Sequence, residues 1–346
     1  MSLSASVLTG PAESMPVPVP RGELSELIVT AVREVRLGGS GLVEAARRLA
    51  EGAEPICTGE DAQISLLMLY ELHYRGLTGA PEDWEWDPDL LACRRMLERR
   101  FESELRELAP AADPGGDVAD VLFDMTAPTR GPSLSRYVAA RATKEQLLEF
   151  LTHRSVYQLK EADPHSWAIP RLAGRVKAAL VEVQIDEYGG GRPDRMHSAL
   201  FAQTMRELGL DDTYGALVDQ VPAVMLATVN AMSLFGLNRR LLGAIVGHLA
   251  AFEMTSSLPN KMYGNGLRRL GYGPQATMFF DEHVEADAVH EQIAGRDLAA
   301  GLVAQQPERR ADVLFGAAAC LALDELAGRH LLAAWENQLS SLREVR

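Results

Sequence analysis

Thiol chemistry has little room in this sequence. Three cysteines occur, Cys57, Cys93 and Cys320, far apart and with no Cys-x-x-Cys pair. That excludes a disulfide scaffold and a thiolate zinc site, and it suits a reducing cytoplasm. No run of about 18 uncharged apolar residues exists, so no membrane span is expected. Positive charge is in deficit: 34 Lys and Arg stand against 48 Asp and Glu, a net charge of −14. Such a surface repels polyanions, which argues against nucleic acid or an anionic membrane as partner. The start, MSLSASVLTGPAESMPVPVP, lacks a basic n-region and a long apolar h-region, so it is not read as a secretory signal. Its Ser, Pro and Gly content predicts a disordered tail over residues 1–20. Also missing are a P-loop, a G-x-S-x-G elbow, a His-Glu-x-x-His zincin motif and the Glu-x-x-His pairs of ferritin-like di-iron bundles.

What remains is helical. After Pro20, apolar residues recur at three and four, while β-branched alternating runs are scarce. The pattern predicts helices over about 22–36, 40–51, 60–75 and 88–108. A loop rich in small and breaking residues follows, Ala109 to Gly116, and marks the expected domain boundary. Beyond it, Thr143-Lys144-Glu145-Gln146 reads as a capping box opening an amphipathic helix that runs to about Ala162. Further helices are expected over 166–187, 193–208, 212–235, 239–257, 275–294 and 308–340. Breaks are expected at Gly189-Gly190-Gly191, Gly264-Asn265-Gly266 and Gly271-Tyr272-Gly273-Pro274. The fold class read from this is all-α: a small helical domain over 21–116, then a larger bundle over 117–346.

The chemistry concentrates in a few side chains. His283, Asp287 and His290 are spaced i, i+4, i+7 and share a narrow sector of one helix face. Two imidazoles and a carboxylate on one stripe suit a first-row metal with mixed N/O ligands. A solvated polar face is the bland alternative, but the rest of that face is apolar or small, and a polar stripe on a core needs a partner. Glu253 stands in the strongly apolar Gly247-His248-Leu249-Ala250-Ala251-Phe252-Glu253-Met254, where a lone acid is rarely buried unless paired or metal-bound. His248 reads there as a core residue. Glu161, Glu187 and His197 fall near expected helix ends. Together these make four carboxylates and three imidazoles, the inventory of a dinuclear non-haem iron site in a helical bundle. Glu71 and His73 read as a helix surface or a domain contact. Tyr157 and Asn230 read either as pocket-facing groups or as satisfied polar groups in the bundle.

These spacings resemble the haem-oxygenase-like di-iron oxidases and oxygenases, a family of iron-containing redox enzymes with a seven-helix domain. The family's pattern is matched by Glu161-x25-Glu187-x9-His197 and by Glu253-x29-His283-x3-Asp287-x2-His290. The extra carboxylate Glu187 is similar to one carried by the N-oxygenase members. The resemblance covers roughly 117–346, and the preceding helices resemble a dimerisation region. It implies two Fe ions, O2 as co-substrate, a peroxo-diferric species and an external electron donor, either a reductase or a small-molecule reductant. His197 with Glu161 would hold one iron and His283 with Asp287 the other. Glu253 and Glu187 would be shared and His290 would complete the set. The implied activity is N-oxygenation of a small amine, such as 2-aminoimidazole or a guanidine-like amine, to hydroxylamine and nitro products in natural-product biosynthesis. The alternative is desaturation or C–C fragmentation of an amino acid or fatty acid; fragmenting members often lack the third-helix carboxylate. A homodimer in the cytoplasm is the expected form. An N-nitrosating member continues into a cupin domain; the expectation here, from the end at Arg346, is that the cupin and its rearrangement chemistry are missing.

Overall fold

A computed structural model of the protein describes residues 13–37, 40–128 and 131–345; the side chains of Ser40, Asp287 and Ala288 lie outside that description. The described residues are helical with no strand; one isolated bridge joins Met15 and Leu77. Four helices come first: α1 (Glu23–Glu34), α2 (Ser40–Glu51), α3 (Glu60–Glu71) and α4 (Pro88–Leu108). Asp87 starts α4 by accepting from the Asp89 and Leu90 amides at 2.9 and 3.0 Å, with Pro88 in the first turn. A helix-free linker over 109–117 leads into α5 (Val118–Thr126), α6 (Leu134–Ala140), α7 (Lys144–Gln158) and α8 (Asp163–Ser166). The capping box on α7 forms as expected, with Thr143 and Gln146 exchanging side-chain and backbone bonds. Then follow α9 (Gly174–Glu187), α10 (His197–Glu207), α11 (Ala223–Leu237), α12 (Leu242–Met254), α13 (Ser257–Arg269) and α14 (Pro274–Gln292). A π-helical stretch, Ile293–Ala300, links α14 to α15 (Gly301–Gln305), and α16 (Arg310–Glu336) closes the bundle.

The centre is α12 against α16, and α11 packs on both. Both α11 and α12 are apolar all round, as helices enclosed by neighbours should be. Gly247 and Gly316 allow backbone-to-backbone approach. A Cβ on Gly247 would sit 1.8 Å from the Val313 carbonyl oxygen, and one on Gly316 would sit 1.9 Å from that of Ala244. Around this centre α10 and α12 pack on α14, while α9 packs on the π-helical stretch. Among the described residues no single helix is long and apolar enough to cross a membrane.

Four local expectations are corrected. The tail expectation for 1–20 falls partly outside the described residues, but 13–20 are placed. Met15 is buried, and its backbone bonds to Gly76 and Thr78 tie the segment down. The helix expected to reach Ala162 stops at Gln158: the Lys160 amide bonds back three residues to the Tyr157 carbonyl, and the chain then turns left-handed at Ala162, φ 76. Gly264-Asn265-Gly266 is no break but lies inside α13. Gly266 is small there because Val138 of α6 presses on it: a Cβ would meet the Val138 carbonyl oxygen at 2.8 Å. The short helices α5 and α6 had no strong periodic signal and were not expected. By contrast, Gly189, Gly190 and Gly191 all adopt positive φ, and a Cβ on Gly189 would strike the Arg195 carbonyl carbon at 2.5 Å.

Side chains on both sides of the expected 21–116 and 117–346 division share one buried core. Glu71 at the end of α3 meets Lys160 at 2.9 Å, with both side chains buried. Tyr214 donates to the same carboxylate at 2.6 Å. Asn230 donates to the backbone and side-chain oxygens of Gln63, both at 2.8 Å. Glu71 is thus a contact between the two parts, and Asn230 is a core group whose Nδ2 is paired while its Oδ1 is buried with no hydrogen-bond partner.

Candidate metal centre

Helix ends supply most of the candidate ligands. Glu161 sits in the turn after α7, Glu187 is the last residue of α9, His197 is the first of α10, and Glu253 lies in the last turn of α12. His283 and His290 come from the middle and last turn of α14. Asp287 lies between them on that helix, and its side chain falls outside the described residues.

All six described side chains are buried, and they form two groups that share Glu187. Ligand atoms of Glu161, Glu187, His197 and His283 lie within 4.8 Å of one another, as do those of Glu187, Glu253 and His290. His197 Nδ1 is 2.9 Å from Glu187 Oε2, His283 Nε2 is 3.5 Å from Glu161 Oε1, and His290 Nδ1 is 3.3 Å from Glu253 Oε2. The division differs from the expected one, in which His283 paired with Asp287. His283 falls instead with Glu161 and His197, because α10 crosses α14 at the Phe279–His283 level; the His197 and His283 rings are 4.2 Å apart.

Burial and pairing set the charges. Burial pushes the Glu161 carboxyl up, and His283 offsets this only in part. Burial acts the same way on Glu187, but His197, then His283 and His290, outweigh it and hold this acid down at about 2. Against burial, which favours a neutral ring, Glu187 raises His197. Glu253 and then Asp186 likewise raise His290 to about 9. Glu161 Oε1 accepts from Gln158 Nε2 at 3.2 Å, while its Oε2 is buried with no hydrogen-bond partner. A buried carboxylate oxygen without a donor is costly unless something positive completes it. Oxygen and imidazole donors without thiolate suit a first-row ion such as iron. The residues present therefore fit a metal on this donor set.

Beside the groups lies a cavity of about 10 Å³, room for about one water. Tyr157, Phe252 and Leu249 give its apolar wall, with Gln184, Ser256 and His165 as polar points; no Lys or Arg lines it. Three features escaped the sequence reading. Asp186 approaches His290 Nε2 at 3.0 Å. His165 reaches His248 at 3.2 Å between Nε2 and Nδ1. Burial holds His165 down at about 4; burial and then His165 hold His248 well below its ordinary value. The third is the Gln158 support of Glu161. Adjacency to Glu187 was the available signal for Asp186; nothing in the sequence flagged the pairing of His165 with His248.

Residues 148–325, just over half the chain, match the family model described as iron-containing redox enzyme. The chain belongs to this family. Its all-helical bundle is the haem-oxygenase-like fold of these iron-containing redox enzymes. Within curated proteins, a nitrosourea synthase from Streptomyces achromogenes subsp. streptozoticus is 29% identical over 147 residues. That match takes in 42% of this chain and 31% of the relative, so the chain spans about a third of the relative's length. An oxidoreductase with iron as its metal is what membership carries, and the buried Glu/His cluster is compatible with a di-iron site.

Proposed function

We propose that this iron-containing redox enzyme is a non-haem di-iron oxygenase that N-oxygenates a small amine. The observation that carries the reading is the pair of buried ligand groups joined through Glu187. Glu161, His197 and His283 would hold one iron and Glu253 and His290 the other, with Glu187 shared; Asp287 belongs to the proposed set on its sequence spacing alone. When bound, the two irons supply redox equivalents and a binding place for O2. The first step, from amine to hydroxylamine, inserts one oxygen atom into an N–H bond. The other oxygen leaves as water, with two electrons from an external reductase or small-molecule reductant and two protons. Further oxidation of the same nitrogen would lead to the nitro level. A homodimer is part of the proposal.

The chain's own groups support this in three ways. The carbonyl of Phe279 can only accept, so His283 Nδ1 carries the proton at 2.8 Å and Nε2 is left as the lone-pair nitrogen. The apolar wall of Tyr157, Phe252 and Leu249 excludes bulk water, which strengthens every charge interaction inside. Burial, and then Glu161, push the Tyr157 hydroxyl well up, so it stays a hydrogen-bond donor at neutral pH.

The third-helix carboxylate Glu187 and the likeness to a nitrosourea synthase support a small amine, such as 2-aminoimidazole or a guanidine-like amine, over the amino acid or fatty acid of the fragmentation alternative.

The test is anaerobic Fe(II) loading followed by stopped-flow mixing with O2 and product mass spectrometry. Two irons per chain and a transient absorption that decays faster with 2-aminoimidazole or guanidine, yielding oxygenated products, would support the proposal. Faster decay with a fatty acid and loss of carbon would favour fragmentation. Fewer than one iron per chain, with no transient and no effect of His283→Ala, would sink both.

A further inference from the structure

The two imidazoles of α14 are held in opposite ways. His283 is fixed by its own helix, through Nδ1 to the Phe279 carbonyl, and it turns Nε2 toward Glu161. The two nitrogens of His290 meet carboxylates from other helices. Nδ1 is 3.3 Å from Oε2 of Glu253, a buried member of the second ligand group. Nε2 is 3.0 Å from Oδ2 of Asp186, whose side chain is 57% exposed and belongs to neither group. Asp186 and Glu187 are consecutive in the last turn of α9, so their side chains diverge by about 100° around the helix axis. One enters the interior as the shared acid, and the other reaches His290 from the rim.

We infer that Asp186 is a positioning residue for the second metal position: it engages His290 through Nε2 so that Nδ1 is presented beside Glu253 and Glu187. A ligating histidine generally gives its other ring N–H to a carboxylate or carbonyl, which fixes the tautomer and ring plane and raises the basicity of the ligating nitrogen. For His283 a backbone carbonyl of its own helix does this. For His290 the acceptor comes from α9, so the second position needs the end of α9 and the body of α14 held together. The ligating nitrogens would therefore differ: Nε2 of His283 in one group, Nδ1 of His290 in the other.

The inference rests on the di-iron reading, and the test separates the two. Asp186→Ala and Asp186→Asn would be titrated anaerobically with Fe(II) alone, with near-infrared circular dichroism reporting each ferrous ligand field. Asp186→Ala is expected to weaken the second Fe(II) by about 10–100-fold and leave the first unchanged, with a shift only in the bands that grow in with the second iron. Asp186→Asn keeps a carbonyl acceptor and is expected to restore most of that loss, which a general loosening of the fold would not do. The metal-free variants should keep the parent's helical circular dichroism at the titration temperature, so that any loss of affinity is read on folded protein. Two Fe(II) bound by Asp186→Ala at parental affinities, with an unaltered spectrum, would overturn the inference alone. Equal weakening of both positions would overturn it too, by showing a disturbed fold. If the parent protein takes fewer than two Fe(II), the di-iron reading falls and the inference with it.

Discussion

Lys160→Met should cost the metal-free protein about 3–5 kcal/mol of stability. The size follows from where the ion pair lies. Lys160 Nζ and Glu71 Oε2 are 2.9 Å apart with side-chain exposures of 1% and 0%. Removing the ammonium leaves the Glu71 carboxylate enclosed, with the Tyr214 hydroxyl at 2.6 Å and the Arg75 amide at 3.4 Å as donors. Two neutral or weak donors do not replace a contact charge, and the loss is that of an uncompensated buried acid. Glu71→Gln alone should cost less, because the Gln oxygen can still accept and Lys160 keeps the Tyr74 ring 4.4 Å away. Lys160→Met with Glu71→Gln should recover about 2 kcal/mol relative to Lys160→Met, since no charge is then left buried. The assay is urea unfolding of all four proteins followed by helical circular dichroism, read as a double-mutant cycle. A loss under about 1 kcal/mol for Lys160→Met, or a coupling under about 0.5 kcal/mol, would refute the reasoning. Lys160 directly precedes Glu161, so a weakened first Fe(II) position in Lys160→Met is expected in the same preparation.

Gly247→Ala should destabilise by more than about 2 kcal/mol, measured as a fall in melting temperature, because its Cβ would meet the Val313 carbonyl oxygen at 1.8 Å and backbone cannot step aside cheaply. Acid should destabilise the metal-free protein between pH 6.5 and 5. His153 is held down to about 3 by burial and then His330, His165 to about 4 by burial, and His248 still further below its ordinary value. For a base with a depressed folded pKa the unfolded chain binds more protons in that window. Stability is therefore full above about 6.5 and falls as pH drops, by up to about 2 kcal/mol for each ring by pH 5. A urea midpoint that stays flat over this range, or a slope unchanged by His153→Phe, would contradict it. Fe(II) binding at pH 7 in weak buffer should release at least one proton per chain, read with an indicator dye: His290, raised to about 9, is charged there, and a ligating nitrogen must give up its proton.

Helix placement was legible along most of the chain because periodicity and caps are local. The start of α4 at Asp87-Pro88 and the Thr143/Gln146 box needed no long-range information, and both formed as written. Gly264 and Gly266 show the limit of such reading. A glycine chosen for flexibility and one chosen for a neighbour's closeness look alike in sequence; only Val138 of α6 pressing on α13 tells them apart. The short α5 and α6 were missed because seven to nine residues carry too little periodic signal.

The candidate ligands were legible as residue types out of place. An acid in the apolar α12 and two imidazoles on one stripe of α14 demand partners whatever the fold, since unpaired burial of polar groups is costly. So the sequence by itself determined the all-helical class and the oxygen and nitrogen donor set. Which donor meets which was decided by tertiary structure alone. His283 joins His197 because α10 crosses α14 at that level, Glu187 is common to both groups because α9 ends between them, and Asp186 reaches His290 across 104 positions of chain. Those distances depend on how helices pack, and helix packing is fixed by contacts such as Gly247 on Val313 that no local pattern encodes.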